Sequence, residues 1–144
     1  MELVHEMTFD AVLKPLVRFG DGPCGHRVFG EVTGGRVEGP RISGRVLAGG
    51  GDWAIVGPDG ILRLDVRVQF ETNDGAQIFV QYRGVLDTSS IDRSVREVGF
   101  DDMYLRTTPR FETGDDRYAW LTRHVFVAEG RRTATGVEYR VYRV

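Results

Sequence analysis

Ile61-Leu62-Arg63-Leu64-Asp65-Val66-Arg67-Val68-Gln69-Phe70-Glu71-Thr72 alternates apolar and polar side chains with period two. Asn73-Asp74-Gly75 then turns the chain, and Ala76-Gln77-Ile78-Phe79-Val80-Gln81-Tyr82-Arg83-Gly84 returns in the same rhythm. A strand with one dry face needs this alternation, and Asp-Gly offers the positive-φ positions of a tight hairpin. The reading is therefore a long β-hairpin.

The rhythm recurs on both sides of the hairpin. Leu3 to Leu13 reads as a first strand, with Leu3, His5, Met7, Phe9 and Ala11 on one face. Pro15 and Gly20-Asp21-Gly22-Pro23 break it, and strands follow at His26–Thr33, Arg36–Glu38, Arg41–Leu47 and Asp52–Val56. Gly57-Pro58-Asp59-Gly60 is a turn into the hairpin. Later strands are expected at Met103–Thr113, Tyr118–Glu129 and Val137–Val144. Ser90 to Val98 departs from the pattern: Ile91, Val95 and Val98 have helical spacing, so one short helix, or a loop with one helical turn, is expected there. Eight to ten short strands in one small domain must close on themselves or form two packed sheets. Closure leaves no exposed edge. The expected fold is all-β, a closed antiparallel β-barrel of about eight to ten strands, with a sandwich as the alternative.

Composition fits one domain over residues 1–144, with 41% hydrophobic and 28% charged residues. The 19 glycines fall between alternating runs, as turns and bulges require. A net charge of −2 argues against nucleic-acid or anionic-membrane partners. Cys24 is the only cysteine, so neither an internal disulfide nor a cysteine zinc site is available. His5, His26 and His124 share no ligand spacing, and no metal or cofactor is expected. The acidic N-terminus, Met1-Glu2-Leu3-Val4-His5-Glu6, does not read as a secretory signal. No apolar run approaches membrane-helix length. A cytoplasmic location is expected.

The candidate site residues come from strand faces. In Tyr118–Phe126, period two puts Tyr118, Trp120, Thr122, His124 and Phe126 together, which resembles the lining of a ligand cavity and equally an ordinary barrel wall. An imidazole as a residue type titrates near neutrality, which makes His124 a candidate base. Tyr104, Arg106, Thr108, Arg110 and Glu112 share a face, where an arginine beside a tyrosine suits a carboxylate, phenolate or enolate oxygen; a solvated outer face reads the same way. Asp52-Trp53 follows three glycines, and burial beside an indole would raise the Asp52 carboxyl pKa. Asp65 lies opposite the apolar face of its strand. No nucleophile triad or phosphate loop is present.

Several segments together resemble a known family. They are Gly34-Gly35-Arg36-Val37-Glu38-Gly39-Pro40-Arg41-Ile42-Ser43-Gly44-Arg45-Val46-Leu47, Gly50-Gly51-Asp52-Trp53 and Glu71-Thr72-Asn73-Asp74-Gly75-Ala76. Tyr104-Leu105-Arg106-Thr107-Thr108-Pro109-Arg110-Phe111-Glu112-Thr113 and Tyr118-Ala119-Trp120-Leu121 complete the set. The chain resembles the bacterial family known as domain of unknown function 3237, over almost its whole length. The resemblance implies a compact antiparallel β-barrel and little about activity. It also implies that Asp52, Trp53, Tyr104, Arg106, Glu112 and Trp120 belong to the family pattern; His124 is not carried over.

These readings converge on a small-molecule-binding barrel. The leading expectation is a cofactor-free isomerase, cyclase or hydrolase acting on an aromatic or oxygenated metabolite. Asp52 or Glu112 would move the proton and Arg106 would hold an anionic oxygen, while Trp53, Tyr104, Tyr118, Trp120 and His124 would contact the ligand. The alternatives are a non-catalytic carrier or sensor, and an oligomerisation module, with a homodimer as the simplest assembly.

Overall fold

The computed structural model describes residues 1–144, and the hairpin is its spine. Strands β1 (Val4–Leu13), β2 (Val17–Gly22), β3 (Gly25–Gly34), β4 (Arg36–Glu38), β5 (Ser43–Val46) and β6 (Gly50–Val56) precede it. The hairpin is β7 (Ile61–Thr72) with β8 (Gln77–Asp87); β9 (Leu105–Glu112), β10 (Phe126–Arg132) and β11 (Gly136–Arg143) follow. β7 and β8 pair without a break from Ile61↔Asp87 to Glu71↔Gln77. Leu64, Val66, Val68 and Phe70 are buried, whereas Arg63, Arg67 and Gln69 are exposed. The turn spans four residues and only Gly75 has positive φ, at 91°. Thr72 closes it, its hydroxyl accepting the Ala76 N–H at 2.8 Å.

Closure follows from pairing. The order β7-β5-β4-β1-β11-β10-β9-β8 returns to β7, an eight-stranded antiparallel barrel, and β2, β3 and β6 form an added flap. One strand serves both parts. β6 pairs with the first half of β7, as in Gly51↔Arg67 and Val56↔Leu62, and β5 with the second half, as in Val46↔Phe70. β3 meets the end of β1 at Leu13↔Val32. One end of the wall is therefore built by β3 and β6, the other by β4 and β5.

The two ends are filled differently. At the β4/β5 end aromatic rings interlock: Phe9 with Phe70 at 5.1 Å, Phe9 with Tyr139 at 5.1 Å, and Phe111 with Phe126 at 5.0 Å. Leu121 plugs that end, 1% exposed. The β3/β6 end has no such filling, and the cavity described below lies there.

Four sequence expectations are corrected. Tyr118–Thr122 is not strand; Asp116–Thr122 is a 3-10 helix capped by Asp115, whose side chain accepts the Arg117 N–H. Residues three apart eclipse in a 3-10 helix. Tyr118 and Leu121 therefore share the buried face, and the expected row of Tyr118, Trp120 and His124 does not form. The strand begins at Phe126. The second correction concerns residues 90–98, which hold no α-helix: a 3-10 turn at Thr88–Ser90 leads into a loop, the single-turn alternative. Third, β2 occupies a stretch that reads in sequence as a break. Every residue of it is exposed, so it carries none of the burial alternation that marks a strand in sequence. His5 also leaves the inner face, because the β1 register shifts between His5 and Met7.

Gly35 joins β3 to β4 at φ 149°, where an added Cβ would stand 1.9 Å from the Asp10 carbonyl oxygen. Backbone cannot yield as a side-chain tip can. Gly35→Ala is expected to cost about 2 kcal/mol or more and to lower Tm by roughly 6 °C, measured by thermal unfolding.

Candidate functional site

The β3/β6 end holds a cavity of about 1360 Å3 that opens to solvent. Its walls are apolar, with Val28, Val32, Ala54, Leu62, Leu64, Val66 and Leu105 among them, and Ile91 and Met103 from the 88–104 loop at its mouth. Three polar side chains reach deep into it: Asp52, Tyr82 and Tyr139. The register explains their meeting. Asp52 pairs with Val66, and Val66 with Tyr82, so one inward row runs across β6, β7 and β8. Tyr139 faces Tyr82 from β11, ring to ring at 5.2 Å and nearly edge-on. Gly30 stands beside Asp52 on β3, and its missing side chain leaves room that Leu16 borders.

Asp52 is held by one bond. Its Oδ1 accepts the Asp65 backbone N–H at 3.0 Å, and no protein group donates to Oδ2. Burial pushes its pKa up to about 6; the Asp65 N–H opposes the shift, and the Asp65 charge adds to it. The two tyrosines move away from neutrality. Tyr82, 3% exposed, is raised well above 10 by burial and by Tyr139, and Tyr139 is raised by burial and by the Asp52 charge. Both stay protonated and can donate. The arrangement thus joins a carboxyl that titrates near 6 to two neutral phenols in a largely apolar pocket, which suits proton transfer beside a developing oxyanion.

The other predicted residues lie elsewhere. Trp53 points outward, 41% exposed, because its neighbour Asp52 points inward. Tyr104 and Arg106 share that outer face, the Arg106 guanidinium lying 4.8 Å above the Tyr104 ring. Glu112 is exposed on β9. Tyr118, Trp120 and His124 sit at the plugged end: the Tyr118 hydroxyl donates to Asp74 at 2.8 Å, Arg41 stacks on Trp120 at 3.7 Å, and His124 Nδ1 bonds the Trp120 carbonyl oxygen at 2.8 Å. The expected single pocket of Asp52, Arg106 and Glu112 does not form, because β9 turns Leu105, Thr107, Pro109 and Phe111 inward and so leaves Arg106 and Glu112 on the outside. Sequence reasoning passed over Tyr82 and Tyr139, although both continue apolar inward rows (Ile78, Val80, Tyr82 and Val137, Tyr139, Val141). A phenol in the dry phase of a strand was the available signal.

The sequence profile of the DUF3237 proteins, described as proteins of unknown function, matches residues 1–144. The chain belongs to this family. The UPF0311 protein RPA1785 of Rhodopseudomonas palustris is 33% identical to this DUF3237 chain over 148 residues, covering 100% of the chain and 97% of that protein. Its crystal structure superposes with a TM-score of 0.91, over 99% of this chain and 96% of the other. A β-barrel-like protein of Acinetobacter baumannii is similar at TM-score 0.85 and 31% identity, over 99% and 94% of the two chains. An enzyme from Penicillium herquei shares the fold at TM-score 0.75 and 20% identity, covering 99% of this chain and 94% of its own. The DUF3237 barrel therefore stands as a closed β-barrel, and no helix in it is long and apolar enough to cross a membrane.

Proposed function

We propose that this DUF3237 barrel binds a small, mostly apolar, oxygenated molecule in its β3/β6 cavity and moves a proton on it without a cofactor, as an isomerase, cyclase or hydrolase does. One observation carries the reading: Asp52 presents an undonated Oδ2 in the same apolar cavity as two neutral tyrosine hydroxyls. Asp52 accepts or returns the proton, and Tyr82 and Tyr139 donate to the oxygen that gains charge. Glu112 and Arg106 take no part in this step, because they lie outside the wall. A cytoplasmic setting accords with the exposed, unpaired Cys24. The carrier reading uses the same cavity with no proton transfer, and the test separates the two.

Native mass spectrometry of freshly purified protein supplies the candidate ligand, and its turnover is then followed. Asp52→Asn is expected to lower turnover about 10²–10⁴-fold while binding persists. As a base, Asp52 must be ionised, so kcat/KM should rise with pH through about 6 and then level. A ligand recovered unchanged after long incubation would favour the carrier. Turnover indifferent to Asp52→Asn would remove Asp52 from the chemistry.

A further inference from the structure

Trp53, Tyr104 and Arg106 have no part in the cavity, yet the fold gathers them on the outside. With Arg27, Arg83 and Asp65 they line a groove of about 1080 Å3. Arg83 stands opposite Asp65 on β7 and Thr108 on β9, and Arg106 stands opposite Val85. Arg83 and Arg106 are thus diagonal neighbours on adjacent strands, about 7–8 Å apart at their backbones. Both side chains therefore leave the same outer face from neighbouring strands, where one anion can meet both.

The protein does not supply that anion. Arg83 forms no ion pair, and Arg106 donates only to the Leu105 carbonyl, at 3.0 Å. Arg27 donates to the Trp53 carbonyl at 2.8 Å and likewise lacks an acid. Of the two acids on the groove, Glu129 is engaged by Arg140 at 2.9 Å and by the Tyr142 hydroxyl at 3.0 Å. Asp65 lies 3.8 Å from Arg67 and forms no pair with Arg83. Three guanidiniums without a carboxylate partner meet here in a chain whose net charge is −2. General basicity is not the cause.

The aromatic walls are braced. Phe29 packs on Trp53 at 5.0 Å and lies across Gly51, where a Cβ would fall 2.5 Å from the Phe29 ring. Arg106 covers one face of Tyr104, whose residue surface is 50% exposed. Flat, half-exposed rings beside unpaired guanidiniums suit a flat ligand that carries negative charge.

We propose that this groove is a second binding site, separate from the barrel cavity, for a planar aromatic carboxylate. The ring packs against Trp53 and Tyr104, and the carboxylate accepts from Arg83 and Arg106. The carboxylate supplies the acid that both guanidiniums lack and the ring uses the exposed aromatic surface, so charge and flatness are both required.

Isothermal titration calorimetry with 2-naphthoate at low salt tests the site. Saturable one-to-one binding is expected, with 2-naphthamide and cyclohexanecarboxylate each at least tenfold weaker. Arg83→Ala and Arg106→Ala are each expected to weaken naphthoate binding about tenfold or more without changing Tm. Leu86→Trp, which narrows the inner cavity, should leave it unchanged. Binding lost in Leu86→Trp and kept in the arginine variants would put the ligand in the barrel and overturn the proposal. So would no binding together with a dimer that Trp53→Ala dissociates, since the groove would then join two copies. No binding by a monomer also overturns it.

Discussion

Glu6→Ala is expected to remove about 2 kcal/mol of folding stability at pH 7, because Arg41 and Arg143 lose their charged hydrogen bonds to it while their own guanidiniums stay partly solvated. Glu6 is 3% exposed, an unusual place for a carboxylate. The register shift between His5 and Met7 turns it inward beside Met7. Its Oε1 accepts Arg41 Nη2 at 2.7 Å and Arg143 Nε at 2.9 Å. Arg41 in turn lies on Trp120 at 3.7 Å. One carboxylate therefore ties together β1, the β4–β5 turn, the last strand and the 3-10 plug. Burial raises its pKa, and the hydrogen bonds and charges of Arg143 and Arg41 outweigh burial and hold it below 4.5. The sign follows. The contribution is present above the unfolded value near 4.5 and fades as pH falls through the lowered folded value. Urea unfolding of both proteins at pH 7 and again at pH 3 checks this, with the gap expected to shrink at pH 3. Glu6→Gln, which keeps an acceptor, should cost about half as much. A cost of Glu6→Ala below about 0.5 kcal/mol at pH 7 would class the cluster with weak surface pairs, to which the half-exposed Arg41 inclines it.

The barrel was legible because alternation is a local signal. β7 and β8 carry it without interruption, and a dry inner face makes period two compulsory. Three kinds of residue escaped. β2 is exposed throughout and so has no alternation to read. Residues 116–122 contain apolar side chains at spacings that suit period two and a 3-10 helix alike; the Asp115 cap decided for the helix, and that depends on a hydrogen bond. The site itself was half legible. Asp52 was found from its glycines and its indole neighbour, but its partners Tyr82 and Tyr139 come from strands 30 and 87 residues farther along. Only the closed register brings them to one place. The same closure explains Trp53: adjacent to Asp52 in sequence, it must stand on the opposite side of the wall.

Asp52→Asn is expected to stabilise the protein above pH 6 by about 2 kcal/mol while lowering the proposed turnover. A carboxyl raised to about 6 from 3.8 is harder to ionise folded than unfolded, so ionisation of wild type weighs against the fold. The penalty is absent below 3.8, opens between 3.8 and about 6, and is constant above. Two units correspond to about 3 kcal/mol, and solvation of Oδ2 in the open cavity lowers that to about 2. Asparagine keeps the Oδ1 acceptor for the Asp65 N–H and removes the charge. Unfolding midpoints of the two proteins should therefore nearly coincide at pH 4 and separate at pH 8, with the variant higher. A group that costs stability where it stands has been kept there by something other than the fold, and catalytic carboxylates behave in this way. The opposite result, a variant less stable at pH 8, would make Asp52 a backbone brace for Asp65 and leave Tyr82 and Tyr139 as walls of a carrier.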